Sequence, residues 1–195
     1  MMQGVDAAGT ARDVDPKLLE ATVSVLAEAG WDGLRLERVA EEAGLSRVTL
    51  WRQGITRDAL LQGLLSRLAD DYRATMWPVL TSPGSGRDRL AAALQALCEV
   101  IDRNLALLLT SDAVFHRAPI ASVEPFARLL RDGTADGSLQ PVDRIEDVAE
   151  ALFNTVCWSY VHLRGRHHWA RDRARRRILE LVLSGVDRRD DARGR

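Results

Sequence analysis

Apolar residues recur every three to four positions along most of this chain, which is the spacing that places them on one face of an α-helix. The first such stripe starts after Asp15-Pro16, a favourable cap and first helical residue, and stops at Gly30. A second long stripe begins after the cap at Thr56-Arg57-Asp58, and its helix is expected to end at Trp77-Pro78. Because no alternating apolar and polar pattern extends beyond a few residues, the sequence predicts an all-α protein.

Further helices are predicted after the sequence TSPGSG at residues 81–86, where proline and glycine interrupt the helical spacing. They are expected at about Arg87 to Asp102, at Asn104 to Thr110, from the Pro119 and Pro125 region to Gly133, from a cap at Asp143 to Arg164, and at Asp172 to Gly185.

Between the first two long stripes lies a shorter pattern of two helices joined by a sharp turn. The first short helix must stop at Gly44, because glycine accepts the left-handed backbone that such a stop usually needs. Ser46 can then cap a helix from Arg47 to about Arg52, which buries Leu50. A helix of this size fits the major groove of DNA. The alternative is a helical hairpin with no role in DNA binding, because the Ala-x-x-x-Gly spacing alone is weak.

The sequence VAEEAGLSRVTLW, with the helix that ends in Gly30 before it and the helix start T-R-D-A-L after it, resembles the TetR family of one-component bacterial transcriptional regulators. The close match runs from Leu18 to about Leu61. The resemblance implies a three-helix DNA-binding module followed by a TetR-like helical ligand-binding and dimerisation domain. We therefore predict a flexible tail at 1–14, a DNA-binding domain at 15–61, a regulatory domain at 62–187 and a charged tail at 188–195.

The resemblance also assigns the residues that contact DNA. Arg47, Val48 and Thr49 are expected to face the bases, with Arg47 donating two hydrogen bonds to guanine. Phosphate contacts are expected from Ser46, Thr49, Trp51, Gln53 and Arg57, and added positive charge from Arg35, Arg38 and Arg52.

The sequence departs from the family pattern at several of these positions. Trp51 replaces a tyrosine and Gln53 a histidine, and both can still donate to phosphate. Arg35 replaces a Ser or Thr cap, which removes one capping hydrogen bond. Gly54 stands where a large residue normally fills the core of the module; either Ile55 fills that space or the turn is rebuilt.

Two apolar stripes near the C-terminus are expected to form a four-helix bundle between two subunits. The resemblance to the family implies a homodimer. One short recognition helix contacts too few base pairs for selectivity, and a dimer doubles the length of the DNA site. The alternative is that both stripes face the core of their own subunit. The stripe residues are Leu152, Val156, Tyr160, Leu163, Ile178, Leu181 and Val182.

Polar and aromatic residues scattered among apolar helical positions predict a site for a small-molecule effector, which requires a mostly apolar cavity with a few polar anchors. Asn154, Thr155, Trp158 and His162 lie on one face at helical spacing and are expected to contribute to it. Asn154 is a poor helix former within an apolar run, so if it is buried it must bond a neighbour or a ligand. The alternative is a set of ordinary core aromatics and satisfied polar groups. The candidate residues are Trp77, Cys98, Phe115, His116, Phe126, Asn154, Thr155, Trp158 and His162.

These expectations combine into one hypothesis, a homodimeric repressor that a small-molecule effector releases from its operator. The helix Thr56–Met76 would couple the two domains as a rod. An alternative is a TetR-like protein whose helical core docks a protein partner. An enzyme is not expected, because no Ser-His-Asp, paired-carboxylate or phosphate-loop arrangement occurs. No cofactor or metal is expected either, because the histidines lack supporting ligands at suitable spacing.

Composition adds two constraints. The formal net charge is −1, so affinity for DNA must come from a local cluster of positive charge. Cys98 and Cys157 lie in apolar helical sequence and are expected to be buried thiols rather than a disulfide. The polar start of the chain and the lack of an apolar run of ~18 residues predict a cytoplasmic protein that does not span the membrane.

Overall fold

The computed structural model describes residues 14–109 and 123–187, and within these ranges every regular element is a helix. The extended pairing found there is an isolated antiparallel bridge between Leu139 and Asp187. The predicted all-α class is confirmed. The helices are α1 Pro16–Ala29, α2 Leu36–Glu42, α3 Arg47–Arg52, α4 Arg57–Leu80, α5 Gly86–Arg103, α6 Leu105–Leu108, α7 Glu124–Ala135, α8 Ile145–Gly165 and α9 Arg171–Ser184.

The described residues form two compact units. The first holds residues 14–70 and 106–109, and the second holds 71–105 and 123–187. The division falls within α4, whereas the sequence placed the domain boundary at 61/62; that boundary stays a prediction. The predicted tails, except Val14, lie outside the described residues, as do the predicted helix end at Thr110, Pro119, and the candidate ligand residues Phe115 and His116. Val14 was predicted to belong to the flexible N-terminal tail, but it is buried in the structure.

The first unit is built on α1, which starts and ends as the sequence predicts. The Asp15 side chain accepts a hydrogen bond from the Lys17 N–H, and Gly30 closes the helix with a φ of 65°. The apolar face of α1, which includes Leu18 and Val25, is buried against α2. Capping and one apolar face therefore suffice to define this helix.

The second unit packs α5, α7, α8 and α9 around a core of aliphatic and aromatic side chains. The backbones of α5 and α7 approach closely where Gly86 meets Gly133. A Cβ atom added to Gly86 would lie 2.2 Å from the Gly133 nitrogen. Such a crossing is open only to residues without a side chain at the contact.

Two predicted helix boundaries are wrong. The α4 helix does not end at Trp77-Pro78 but continues to Leu80 with Pro78 inside it. The Thr81 hydroxyl donates to the Trp77 carbonyl, 3.1 Å away, and so satisfies one carbonyl of this last turn.

The other error concerns the start of α8. Asp143 does not cap this helix; the cap position is Arg144, which has a φ of 53° and makes no side-chain capping bond. Arg144 instead pairs with Asp147 one turn later, at 2.8 Å. Within the described ranges no helix is long and apolar enough to cross a membrane.

Candidate nucleic-acid interface

The helices α2 and α3 end in the same way. After α2, Gly44 has a φ of 67° and the Leu45 N–H donates to the Ala40 carbonyl at 2.8 Å. After α3, Gly54 has a φ of 65° and the Ile55 N–H donates to the Leu50 carbonyl at 3.1 Å. Both are Schellman motifs, in which a left-handed residue lets the chain reverse and satisfies the last carbonyls.

This geometry explains Gly54, the most marked departure from the family pattern. The glycine ends α3 as Gly44 ends α2, and a Cβ at this position would meet no atom within 4 Å. Glycine is favoured at this position because of the left-handed backbone conformation, and not because a larger side chain would clash. Two alternatives were open: either Ile55 fills the space of the missing large residue, or the turn has a different conformation. Ile55 is only half-buried, which favours a turn of different conformation.

The α3 helix is held from one side only. Ser46 caps it, because its hydroxyl accepts from the Thr49 N–H at 3.1 Å and also bonds the Thr49 hydroxyl at 2.8 Å. On the inner side Leu50 is 2% exposed, whereas on the outer side Val48 is 63% and Trp51 is 81% exposed. Of the side chains predicted to face the bases, Arg47 and Val48 therefore lie on the exposed face of this helix, whereas Thr49 is half-buried.

Some of the arginines around α3 form ion pairs with nearby carboxylates, and others do not. Arg47 pairs with Glu37 on α2 at 3.1 Å, and both side chains are mostly exposed. Arg38 pairs with Glu28 on α1 at 3.0 Å. Arg35 and Arg52 are exposed and make no ion pair with any described residue, and the neutral side chain of Gln53 is exposed beside them. The cluster predicted from sequence is present at the surface, with part of its charge neutralised by carboxylates.

Arg57 differs from the prediction. Its guanidinium stacks on the Trp31 ring, 4.7 Å from the centroid, and donates to the Trp31 carbonyl at 2.7 Å. Its Nε is buried without a partner among the described residues. The Arg57 side chain thus stabilises the interior of the first unit and does not belong to the exposed positive charges around α3.

The candidate ligand residues are not brought together. Cys98 and Phe126 are completely buried in the core of the second unit, and Trp77 is 68% exposed. Asn154, Thr155, Trp158 and His162 share one face of α8 as predicted, but that face is exposed. The expectation that these four side chains line an internal cavity is therefore wrong. The Asn154 amide donates to the Glu150 carbonyl at 2.9 Å, which is how a poor helix former is accommodated here.

The predicted dimerisation stripe also needs correction. Five of its seven residues are buried within their own subunit, as the alternative interpretation held, and Leu163 is half-buried. Leu181 alone of the set is exposed, at 71%. The buried residues are Leu152, Val156, Tyr160, Ile178 and Val182.

A polar cluster in the core was not predicted as a site. The carboxylate of Asp102 accepts from the Tyr160 hydroxyl at 2.7 Å and from Arg164 Nε at 2.7 Å, and it forms an ion pair with Arg171 Nε at 3.1 Å. Burial, followed by the bond to Asp102, raises the pKa of Tyr160 well above its usual range. The cluster joins α5, α8 and the start of α9. Sequence alone gave no reason to connect these residues, because they lie about 60 positions apart.

A surface groove of about 600 Å³ lies between α5 and α9, and the residues that line it include Arg87, Arg176, Leu179 and Leu183. It contains none of the predicted ligand residues. Its charges are largely balanced, since Arg87 is bound by Asp187 at 2.7 Å and Arg175 by Asp172 at 3.0 Å.

Comparisons with known proteins agree with the helix-turn-helix geometry. Residues 18–64 match the family model of bacterial regulatory proteins of the tetR family. No curated relative matches the chain. The predicted resemblance to this family is confirmed, since solved TetR-family regulators share the fold as well.

Three of these structures illustrate the likeness. A putative TetR-family regulator from Rhodococcus sp. is 24% identical, with a TM-score of 0.70 over 87% of this chain and 96% of that one. PfmR from Thermus thermophilus is 18% identical, with a TM-score of 0.71 over 89% and 100%. FadR from Bacillus subtilis, solved in complex with stearoyl-CoA, is 15% identical, with a TM-score of 0.69 over 87% and 97%. At these identities the likeness shows the fold.

Proposed function

The N-terminal part of this chain is a TetR-family helix-turn-helix domain in a TetR-like helical fold, and on that premise we propose that the protein regulates transcription by binding duplex DNA through α3. One observation carries the proposal: Val48 and Trp51 project from α3 into solvent while Leu50 fixes its other side. Large apolar side chains exposed next to arginines are typical of a binding surface.

In this proposal Arg47 reads a base and Trp51 positions the backbone. The Arg47 pair with Glu37 joins two exposed side chains, and such a pair contributes only ~0–1 kcal/mol. Arg47 can therefore leave Glu37 for guanine at little cost. The Trp51 indole N–H can donate to a phosphate oxygen, and Val48 can contact a thymine methyl group.

We assign the second unit to dimerisation and to control by an effector. A dimer doubles the length of DNA that is read. The exposed face of α8 and α9, marked by Trp158 and Leu181, replaces the predicted stripe as the dimer surface, because five of the seven predicted residues already fill the core of the chain. Bacillus subtilis FadR, which has this fold, is known in complex with stearoyl-CoA, which supports a small-molecule effector that releases the operator.

The test begins with the DNA that the protein selects. Genomic fragments that bind the purified full chain are recovered, and the affinity for the enriched sequence is measured by fluorescence anisotropy at fixed salt. Arg47→Ala is expected to lower specific affinity by roughly tenfold to a hundredfold, since one good base contact is worth ~1–3 kcal/mol. Trp51→Ala, which removes a phosphate contact, is expected to weaken binding to selected and unselected DNA alike.

The matched control is Arg128→Ala, which removes an exposed arginine from α7. This variant should bind the selected DNA as the unaltered protein does. If all three variants bind alike, or if no fragment is enriched at low salt, α3 does not read DNA.

A further inference from the structure

The exposed arginines around α3 differ in whether a carboxylate balances their charge. Arg47, the residue expected to read a base, has its Nη2 atom 3.1 Å from the Oε1 atom of Glu37. Arg35 and Arg52, which are expected to add positive charge for the phosphates, form no ion pair with a described residue. A negative charge therefore lies beside the base-reading arginine, and these two phosphate-directed arginines have none.

The ion pair joins the two helices of the helix-turn-helix. Glu37 lies in the first turn of α2, and Arg47 is the first residue of α3. The contact is made through Nη2, whereas a guanidinium carries five N–H donors in one plane. Because the Arg47 side chain is 78% exposed, its remaining donors can reach a base while the carboxylate stays close.

We propose that Glu37 is a specificity-determining residue, whose carboxylate competes with DNA phosphates for Arg47 and so reserves that arginine for guanine. This inference rests on the proposed function and adds a positioning residue to it. A phosphate bound to Arg47 would bring a second anion next to Glu37, and the two like charges would repel each other. Guanine is uncharged and offers two acceptors, N7 and O6, so the same carboxylate penalises it less.

Glu37 also has a simpler structural explanation, which makes a different prediction. An acidic residue in the first turn stabilises a helix through its macrodipole, and α2 lacks a side-chain cap because Arg35 makes no capping bond. If Glu37 did only this, removing its charge would lower the stability of the protein and leave its DNA preference unchanged. The DNA preference and the stability must therefore be measured on the same variant.

The test is Glu37→Gln in the full chain, which keeps the size of the side chain and removes its charge. Fluorescence anisotropy at fixed salt measures the affinity for the selected duplex and for a shuffled duplex of the same composition. We expect both affinities to rise, and the affinity for the shuffled duplex to rise more. The ratio of the two affinities should fall by roughly threefold to fivefold, the range that one exposed ion pair allows. An unchanged or larger ratio would overturn the proposal.

The salt dependence of the same complexes gives a second readout. One additional phosphate contact makes the slope of log affinity against log salt concentration more negative by about 0.9. Arg47 should gain such a contact on the shuffled duplex once Glu37 is neutral, but not on the selected duplex, where guanine holds it. Equal slopes of the variant and the unaltered protein on the shuffled duplex would show that Glu37 does not keep Arg47 from the phosphates.

The matched control is Glu28→Gln. Glu28 forms a similarly exposed ion pair with Arg38 at 3.0 Å, but Arg38 is not among the residues expected to face the bases. Both substitutions remove one negative charge from the first unit. Glu28→Gln should therefore change the two affinities by the same factor. If the ratio fell equally in both variants, net charge alone would set the preference and Glu37 would have no special role.

Combining Glu37→Gln with Arg47→Ala shows whether Glu37 acts through Arg47. In the Arg47→Ala background, Glu37→Gln should no longer lower the ratio, because the arginine that it restrains is absent. A fall of the same size would mean that Glu37 acts on the DNA directly, for example by accepting a hydrogen bond from the amino group of cytosine. That result would contradict the proposed positioning role.

Urea unfolding of Glu37→Gln separates this inference from the proposed function. If Arg47→Ala weakens binding to selected DNA, while Glu37→Gln lowers only the stability, α3 reads DNA and Glu37 merely stabilises α2. If no DNA is selected, or if Arg47→Ala binds as the unaltered protein does, the proposed function and this inference both fail.

Discussion

At the scale of single residues, two glycines illustrate different physical requirements. Gly54 adopts a φ of 65° in open space, so its role is conformational. Gly86 has no such backbone demand; a Cβ there would lie 2.2 Å from the nitrogen and 2.3 Å from the Cα of Gly133. The obstacle is backbone of another helix, which cannot turn aside as a flexible side chain does.

These two positions give a paired prediction. Gly54→Ala should destabilise the protein by ~1 kcal/mol, the cost of a left-handed conformation for a residue with a Cβ. Gly86→Ala should cost ~3 kcal/mol or more, because α5 and α7 must separate. Urea unfolding at one fixed protein concentration measures both. Equal effects of the two substitutions would contradict the close crossing of α5 and α7.

At the scale of elements, the start of α5 shows how a helix end is satisfied from several sources. The Asp88 N–H donates to the Ser85 hydroxyl, the Arg87 N–H to the Ser138 hydroxyl and the Gly86 N–H to the Asp136 carboxylate. Local sequence supplies the first bond only; the others come from the turn after α7. A negative charge is also favourable at the N-terminus of a helix.

This cap predicts a dependence on pH. Hydrogen bonds from Ser138 and from the Gly86 N–H lower the pKa of Asp136 below its ordinary value of 3.8. A lowered folded-state pKa means that the carboxylate stabilises the fold above pH 3.8, and that this contribution is lost as the pH falls through the folded value. Asp136→Asn should therefore be less stable than the unaltered protein at pH 7, and the difference should shrink in acid.

Urea unfolding at pH values from 7 down to 3 measures this difference. Asp143→Asn is the matched control, because Asp143 is an exposed aspartate that precedes α8 without capping it. Its stability should follow that of the unaltered protein throughout. A difference for Asp136→Asn that is independent of pH would show that the charge is not what stabilises α5.

At the scale of the whole molecule, the second unit buries two cysteine thiols, which are reactive groups when they are exposed to solvent. Cys98 and Cys157 are free and buried, as the sequence indicated. Burial, followed by the negative charge of Asp102, raises the pKa of Cys98 to about 12. Burial likewise raises the pKa of Cys157 above its usual range. Because the thiolate is the nucleophile, neither thiol is reactive while the unit stays closed.

The thiols therefore report on opening of this unit. At pH 8 only on the order of 10⁻⁴ of a thiol with a pKa near 12 is ionised, so a thiol reagent such as Ellman's reagent should modify neither cysteine rapidly in native buffer. Both should react at once in denaturant. Rapid modification of either cysteine in the native protein would show that the α5–α8 core opens far more readily than its packing indicates.

The helix-turn-helix was predictable because its information is local. Ser46, Gly44 and Leu50 fix the cap, the turn and the buried side of α3 within a few residues of one another. The departure at Gly54 was visible in the sequence, but its meaning came only with the positive φ. Arg57 was misplaced because its partner, Trp31, lies 26 residues away, beyond the reach of any local pattern.

The sequence by itself determined the helical class and the bounds of most helices, since caps, turns and apolar periodicity act over a few residues. Its helix-turn-helix motif also carried the resemblance of the N-terminal part to TetR-family regulators. It also showed that α8 has two distinct faces. Only the tertiary structure decided which face is buried. The more apolar stripe packs into the core of the second unit, and the face with Asn154, Trp158 and His162 is exposed. Periodicity identifies an apolar face, but the surface that this face packs against is set by long-range contacts between helices, which the local pattern does not specify.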